Sequence, residues 1–232
     1  MSALLEAQNL SAGYHGHPFV RDVHLQVNAG EVVALIGPNG AGKTTTLLAL
    51  AGDIAPLGGA VLLTGKTRTD PLHARAKDGL AFVTEERSVF MRLTTAENLR
   101  VGGTDLDEAV TTFPELKALM NRPAGLLSGG EQQMVTLARA LSRKPKVLLI
   151  DELSLGLAPL VVKRLLQAVR DAASTHGIGV LLVEQKVESA LSVSDRVYVM
   201  RDGEIVLQGP SDEMAGRIRE LEESYLASRS QA

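Results

Sequence analysis

Between Gly37 and Thr44 the chain reads GPNGAGKT, a G-x-x-x-x-G-K-[ST] pattern. An apolar run, Glu31–Ile36, leads into it, and a helical run, Lys43–Ala51, leads out. A phosphate chain needs hydrogen-bond donors at close range with no side chains in the way. Gly37, Gly40 and Gly42 let backbone N–H groups turn inward, and the start of the following helix adds favourable partial charge. Lys43 is placed to reach the β- and γ-phosphates, and the Thr44 hydroxyl to bind Mg2+. A dinucleotide-binding turn is disfavoured, because it needs G-x-G-x-x-G and has no use for the lysine.

A strand, a tight turn and a helix in succession set the expectation for the rest of the chain. Strand-like runs occur at Leu4–Leu10, Val23–Val27, Val61–Thr64, Leu80–Val83, Val147–Ile150 and Val180–Val183. Val161–Ser174 has helical spacing, with Val161, Val162, Leu165, Leu166, Val169 and Ala173 on one face. Val197–Met200 and Glu204–Leu207 read as a hairpin across Arg201–Asp202–Gly203. Met214, Ile218, Leu221 and Tyr225 share one face of a tail helix. The stretch from Arg87 to Ala140 is helical and broken by Gly102–Gly103, Pro114, Pro123 and Gly129–Gly130. Alternation of apolar strands with helices predicts an α/β fold with a largely parallel sheet and a helical insertion.

Composition excludes several alternatives. With no cysteine, thiolate metal sites, iron–sulfur clusters and cysteine nucleophiles drop out. The net charge of −3 offers no basic field for nucleic acid, and seven aromatics, from 3 Tyr and 4 Phe, make no base-stacking platform. No apolar run reaches the roughly 20 residues of a membrane span, and MSALLEAQNL lacks the basic start of a secretory signal. At 232 residues the chain is long enough for one large domain.

Two further patterns carry chemistry. Val147–Ile150 ends in Asp151 and Glu152. The first acid is suited to the Mg2+ shell, and the second to polarising an attacking water. Leu127–Ser128–Gly129–Gly130–Glu131–Gln132 opens a helix and forms a second anion-binding turn.

Through LSGGEQ together with these motifs, the whole chain resembles an ATP-binding-cassette (ABC) ATPase. The resemblance implies a P-loop core with an N-terminal antiparallel β subdomain and an inserted helical subdomain. The core and β subdomain would take about 1–86 and 141–232, and the helical part about 87–140. It implies that Gly37, Pro38, Asn39, Gly40, Ala41, Gly42, Lys43, Thr44 and Thr45 bind ATP, with Tyr14 stacking on adenine. Ser128, Gly129 and Gly130 would bind the γ-phosphate held by an opposite subunit. Asp151 and Glu152 would be the metal ligand and the catalytic base. The partners implied are transmembrane permease subunits, a sister ABC ATPase or a second copy pairing head to tail, and indirectly a solute-binding protein. The implied location is cytoplasmic, peripheral on the inner face of the plasma membrane.

The departures from the broad pattern narrow the resemblance. Glu85 stands where Gln is usual, Gln185 replaces the switch His, Ala158 replaces an Asp, and Leu153 replaces a Pro. Glu85 can coordinate Mg2+ or water. Gln185 can hydrogen-bond a γ-phosphate but carries no proton near neutral pH. EERSVF, LTTAENLRVG, LSGGEQQM, SLGLAP and LLVEQ together resemble the second ATP-binding subunit of branched-chain amino acid importers. Urea and short-chain amide importers have similar subunits. A soluble, non-transport ABC ATPase is disfavoured by the single cassette, and a GTPase by the lack of Asn-Lys-x-Asp. A catalytically inactive cassette is disfavoured by Lys43, Asp151 and Glu152.

Overall fold

The computed structural model describes residues 3–218. Two sheets organise them. β1 (Ala3–Tyr14) and β2 (His17–Asn28) form a long hairpin. After β3 (Val32–Ile36) and α1 (Lys43–Ala51), β4 (Gly58–Leu63) returns to pair antiparallel with β1, and the short β5 (Lys66–Arg68) pairs with β4. The resulting four-stranded sheet has the order β2-β1-β4-β5.

α2 (Leu72–Lys77) and β6 (Leu80–Val83) lead into a helical stretch: α3 (Thr95–Val101), α4 (Leu106–Thr112), 3₁₀ turns at Pro114–Leu119 and Ala124–Leu126, and α5 (Gly129–Ser142). Then come β7 (Val147–Asp151), α6 (Pro159–His176), β8 (Gly179–Glu184), α7 (Val187–Leu191), β9 (Arg196–Arg201) and β10 (Glu204–Pro210). The second sheet has six strands in the order β10-β9-β3-β8-β7-β6. It is parallel from β9 to β6, with β10 antiparallel at the edge.

Every residue of β3, β7 and β8 is buried, which is why these strands read as unbroken apolar runs. Alternate side chains serve two cores. Leu148, Ile150, Val180 and Leu182 pack with α5 and α6. Val147, Leu149, Leu181 and Val183 pack with α1 and the β1–β2 hairpin. Each fully buried Leu or Val contributes roughly 1.5–3 kcal/mol, so the sheet is a rigid base for whatever its ends carry.

The structure corrects several element boundaries. The first helix after β6 starts at Thr95, not Arg87, where Thr94 and Glu97 form a reciprocal capping box; residues 87–94 are not helical. α5 runs past Ala140 to Ser142, because its buried face packs into the same core as α6. β5 and α2 are absent from the sequence reading, being too short to show periodicity. α2 has a clear purpose. It buries Arg75, whose Nη1 donates to the Ala49 and Leu50 carbonyls at 3.1 and 2.7 Å and so caps the end of α1. Residues 211–218 are helical, with Met214 and Ile218 buried. Leu221 and Tyr225 lie outside the described residues. No helix among the described residues is long and apolar enough to cross a membrane.

Candidate active site

The site residues emerge at the carboxyl ends of four adjacent parallel strands. Register places them in one row: Ile36 pairs with Glu184, Val183 with Asp151, and Ile150 with Val83. The loop after β3 carries Gly37–Lys43, the end of β8 carries Gln185, the end of β7 carries Asp151 and Glu152, and the loop after β6 carries Glu85. Strand order reverses at β3, since β8 lies on one side and β9 on the other. Such a switch point opens the crevice where α/β sheets bind ligands.

The loop from Gly37 to Gly42 wraps the start of α1. Gly42, the N-cap, has φ 103°, a conformation costly for any residue with a side chain. A Cβ on Gly37 would fall 2.2 Å from the Met200 carbonyl oxygen, so the loop is pressed against β9. Lys43 is 5% exposed, and its Nζ donates to the Gly37 and Pro38 carbonyls at 2.8 and 3.1 Å. Burial lowers its pKa, while the charges of Glu152, Asp151 and Glu184 act to raise it. An ammonium held this way is preset for an anion and satisfied by its own loop without one.

Asp151 is buried, and burial pushes its pKa up to about 6, with Glu152 and Glu85 adding to the rise and a Thr44 hydrogen bond and Lys43 opposing it. Among the described residues its Oδ1 has no hydrogen-bond partner. A buried carboxylate oxygen left unpaired costs about 1–3 kcal/mol, so it is suited to a ligand atom. The arrangement of Thr44 and Asp151, with Glu85 nearby, therefore fits a hard divalent cation bound by oxygen.

Glu152 is held at φ 49°, a left-handed conformation that costs a residue with a side chain about 1–3 kcal/mol. Its N–H donates to the Val183 carbonyl at 3.0 Å. Gln185 Nε2 donates to Glu152 Oε2 at 2.6 Å. The strain therefore aims the carboxylate across the strand ends, where Gln185 meets it.

Other residues named from the sequence lie apart. Tyr14, at the tip of the β1–β2 hairpin, packs edge-on to Phe19 with ring centroids 6.0 Å apart, and it remains 42% exposed. The hairpin approaches the phosphate loop through Val20, which stands 3.0 Å from where a Gly42 Cβ would be. Among the described residues, no hydrogen bond or ion pair joins Ser128, Gly129 or Gly130 to the Lys43–Asp151–Glu152 group. Ser128 instead caps α5, accepting from the Glu131 N–H at 3.3 Å while Glu131 accepts from the Ser128 N–H at 2.6 Å. Gly130 has a structural reason of its own: a Cβ there would lie 2.6 Å from Val161 Cγ1.

Sequence reasoning missed Glu184, Ser154 and Phe19. Glu184 is 1% exposed, and Ser154 donates to it from both N–H and hydroxyl. One signal was available. LLVE ends an apolar strand in a carboxylate just as LLID does.

Residues 20–154 match the family model described as ABC transporter. The chain is 40% identical over 214 residues to the high-affinity branched-chain amino acid transport ATP-binding protein BraG of Pseudomonas aeruginosa, covering 88% of this chain and 91% of that protein. It is 37% identical over 225 residues to the lipopolysaccharide export system ATP-binding protein LptB of Acidithiobacillus ferridurans, covering 92% and 93%. A crystal structure of the ADP conformation of an ATP-binding cassette of an ABC transporter superimposes with a TM-score of 0.83 at 25% identity, covering 92% of this chain and 93% of that one.

Proposed function

The chain belongs to the ABC transporter family, and we propose that within it this ATPase is the energy-coupling subunit of an importer for branched-chain amino acids. The observation that carries the reading is the row of strand ends. A glycine-lined loop and a buried Lys43 face a buried carboxylate with an unpaired oxygen, one residue from a strained Glu152. The solute assignment rests on the likeness to BraG.

In this reading the N–H groups of the Gly37–Thr45 loop and the start of α1 receive the phosphates of ATP. Lys43 exchanges its two carbonyl contacts for phosphate oxygens. Tyr14 supplies a ring face for adenine, with Phe19 supporting it from the edge. Thr44, Asp151 and Glu85 would hold Mg2+, which when bound neutralises charge on the phosphate oxygens. Glu152 takes the proton of the attacking water, and Gln185 fixes the carboxylate that receives it. Because Ser128 and the two glycines lie apart from this group, they fit a role on the nucleotide of a facing cassette, either a second copy or a sister ATPase.

A groove of about 450 Å³ lies beside the helical segment, lined by residues that include Phe82, Arg139 and Arg143. Phe90 and Met91 are exposed nearby on the chain leading to α3. This is the surface we assign to a permease at the cytoplasmic face of the membrane, with a solute-binding protein acting through that permease. In this reading about 87–140 is the inserted helical part, and the groove lies at its junction with the core, with Phe82 on β6 and Arg139 on α5.

The likeness to LptB favours a second reading, the cassette of a lipopolysaccharide exporter. Two measurements test the assignment. ATP hydrolysis by the full-length chain should be abolished by Glu152→Gln, and normal turnover in that variant would refute the base. Deleting the gene should lower uptake of labelled leucine. Unchanged uptake with failed lipopolysaccharide export would establish the second reading instead. A neighbouring binding protein, two permeases and a second cassette would favour the importer.

A further inference from the structure

We propose that Glu184 is a positioning residue for hydrolysis, clamping the turn that holds Glu152 in its strained conformation. The inference rests on Glu152 being the base.

Three consecutive residues at the end of β8 each grip that turn. The Val183 carbonyl accepts from the Glu152 N–H at 3.0 Å. Glu184 Oε1 accepts from the Ser154 N–H at 3.0 Å, and its Oε2 accepts from the Ser154 hydroxyl at 2.6 Å. Gln185 Nε2 donates to Glu152 Oε2 at 2.6 Å. Between these anchors Leu153 is sunk into the core at 1% exposure. The turn has little freedom left, which is the condition under which a left-handed glutamate persists. It continues through hydrogen bonds from Leu155 N–H to the Glu152 carbonyl and from Leu157 N–H to the Ser154 carbonyl, both 3.3 Å.

The chemistry of Glu184 argues against other roles. An apolar strand could end in a neutral residue at this position, and burying a carboxylate is unfavourable unless its hydrogen bonds are worth more than the desolvation. Both oxygens accept from Ser154, and the side chain is 1% exposed. Beside the charge it adds near Lys43, its effect on the reaction runs through the direction in which Glu152 points.

The test compares Glu184→Ala, Glu184→Gln, Ser154→Ala and the double alanine variant in the full-length chain. The turnover number, the KM for ATP and the affinity for a fluorescent nucleotide are each measured. Glu184→Ala is expected to lower kcat about tenfold or more, with KM and affinity within about twofold of wild type. Glu184→Gln keeps an acceptor for the Ser154 N–H and an amide for its hydroxyl, and should retain kcat within about threefold. The double variant should be no slower than Glu184→Ala, since the pair acts as one unit. Unchanged kcat in Glu184→Ala, an equal fall in kcat and affinity, or a Glu184→Gln variant as slow as the alanine would each overturn the proposal. If Glu184→Ala does not fold, Ser154→Ala decides. A fall in kcat of about threefold at constant affinity supports the clamp, and a wild-type kcat refutes it. Glu152→Gln runs alongside. If it hydrolyses normally, the reading of Glu152 fails whatever the Glu184 variants do. If it is inactive while Glu184→Ala is normal, only the clamp fails.

Discussion

Gln185 and Glu152 meet across the ends of two neighbouring parallel strands, amide to carboxylate, at 2.6 Å. The amide holds the carboxylate without competing for a proton, because Gln has no titration near neutral pH. Gln185→Ala should therefore lower kcat by about tenfold and leave the ATP KM almost unchanged. Glu152→Gln, which removes the proton acceptor, should cost about a hundredfold or more. Steady-state ATPase assays of both variants check the ranking, and equal losses would contradict it.

The glycine at 130 is set by helix packing within one chain. Its missing Cβ leaves room for Val161, whose Cγ1 would stand 2.6 Å away. Gly130→Ala should destabilise the fold by about 1–3 kcal/mol through overpacking between α5 and α6. Adding Val161→Ala should recover part of that loss. Thermal unfolding of the single and double variants checks the pairing, and additive losses would refute it.

Ala158 is the N-cap of α6 in an extended conformation, φ −67° and ψ 144°, with no side-chain hydrogen bond to offer. Pro159 follows at the first helical position, where its missing N–H does no harm. Ala158→Ser should stabilise the chain by about 1 kcal/mol, since serine at such a position accepts from a free N–H of the first turn. The expected rise in melting temperature is about 2–4 °C.

Asp70 gives the fold a pH dependence. Hydrogen bonding to Arg68 holds its pKa down at about 2, so the folded state keeps it ionised more strongly than the unfolded chain does. Its contribution is full above the ordinary carboxylate pKa and is lost as pH falls toward the folded value. The stability difference between wild type and Asp70→Asn should be constant at neutral pH and shrink below about pH 4. Urea unfolding at several pH values reads this directly, and a difference independent of pH would exclude it.

Much of this was legible beforehand, for identifiable reasons. Lys43–Ala51 and Leu80–Val83 fall where the sequence puts them, because glycines and charges bound short apolar runs at those points. The buried runs at β3, β7 and β8 showed a parallel sheet but not its order, since strands apolar at every position carry no register. The order brings Asp151, Glu152 and Gln185 to one crevice. β5 and α2 were too short to show a period, and Arg75, a cap for α1, looked like an ordinary surface arginine. The Ser154–Glu184 pair joins the turn after β7 to the end of β8 and depends on registered strand ends, so no local pattern announces it.

The central claim is that the loop around Lys43 grips a nucleoside triphosphate. Calorimetric titration of the full-length chain with ATP and Mg2+ tests it most directly. The account expects saturable binding at one site per chain, weakened about thirtyfold or more by Lys43→Ala through loss of a charge-assisted contact. Absence of saturable binding to the wild-type chain, or equal affinity in the Lys43→Ala variant, would contradict it.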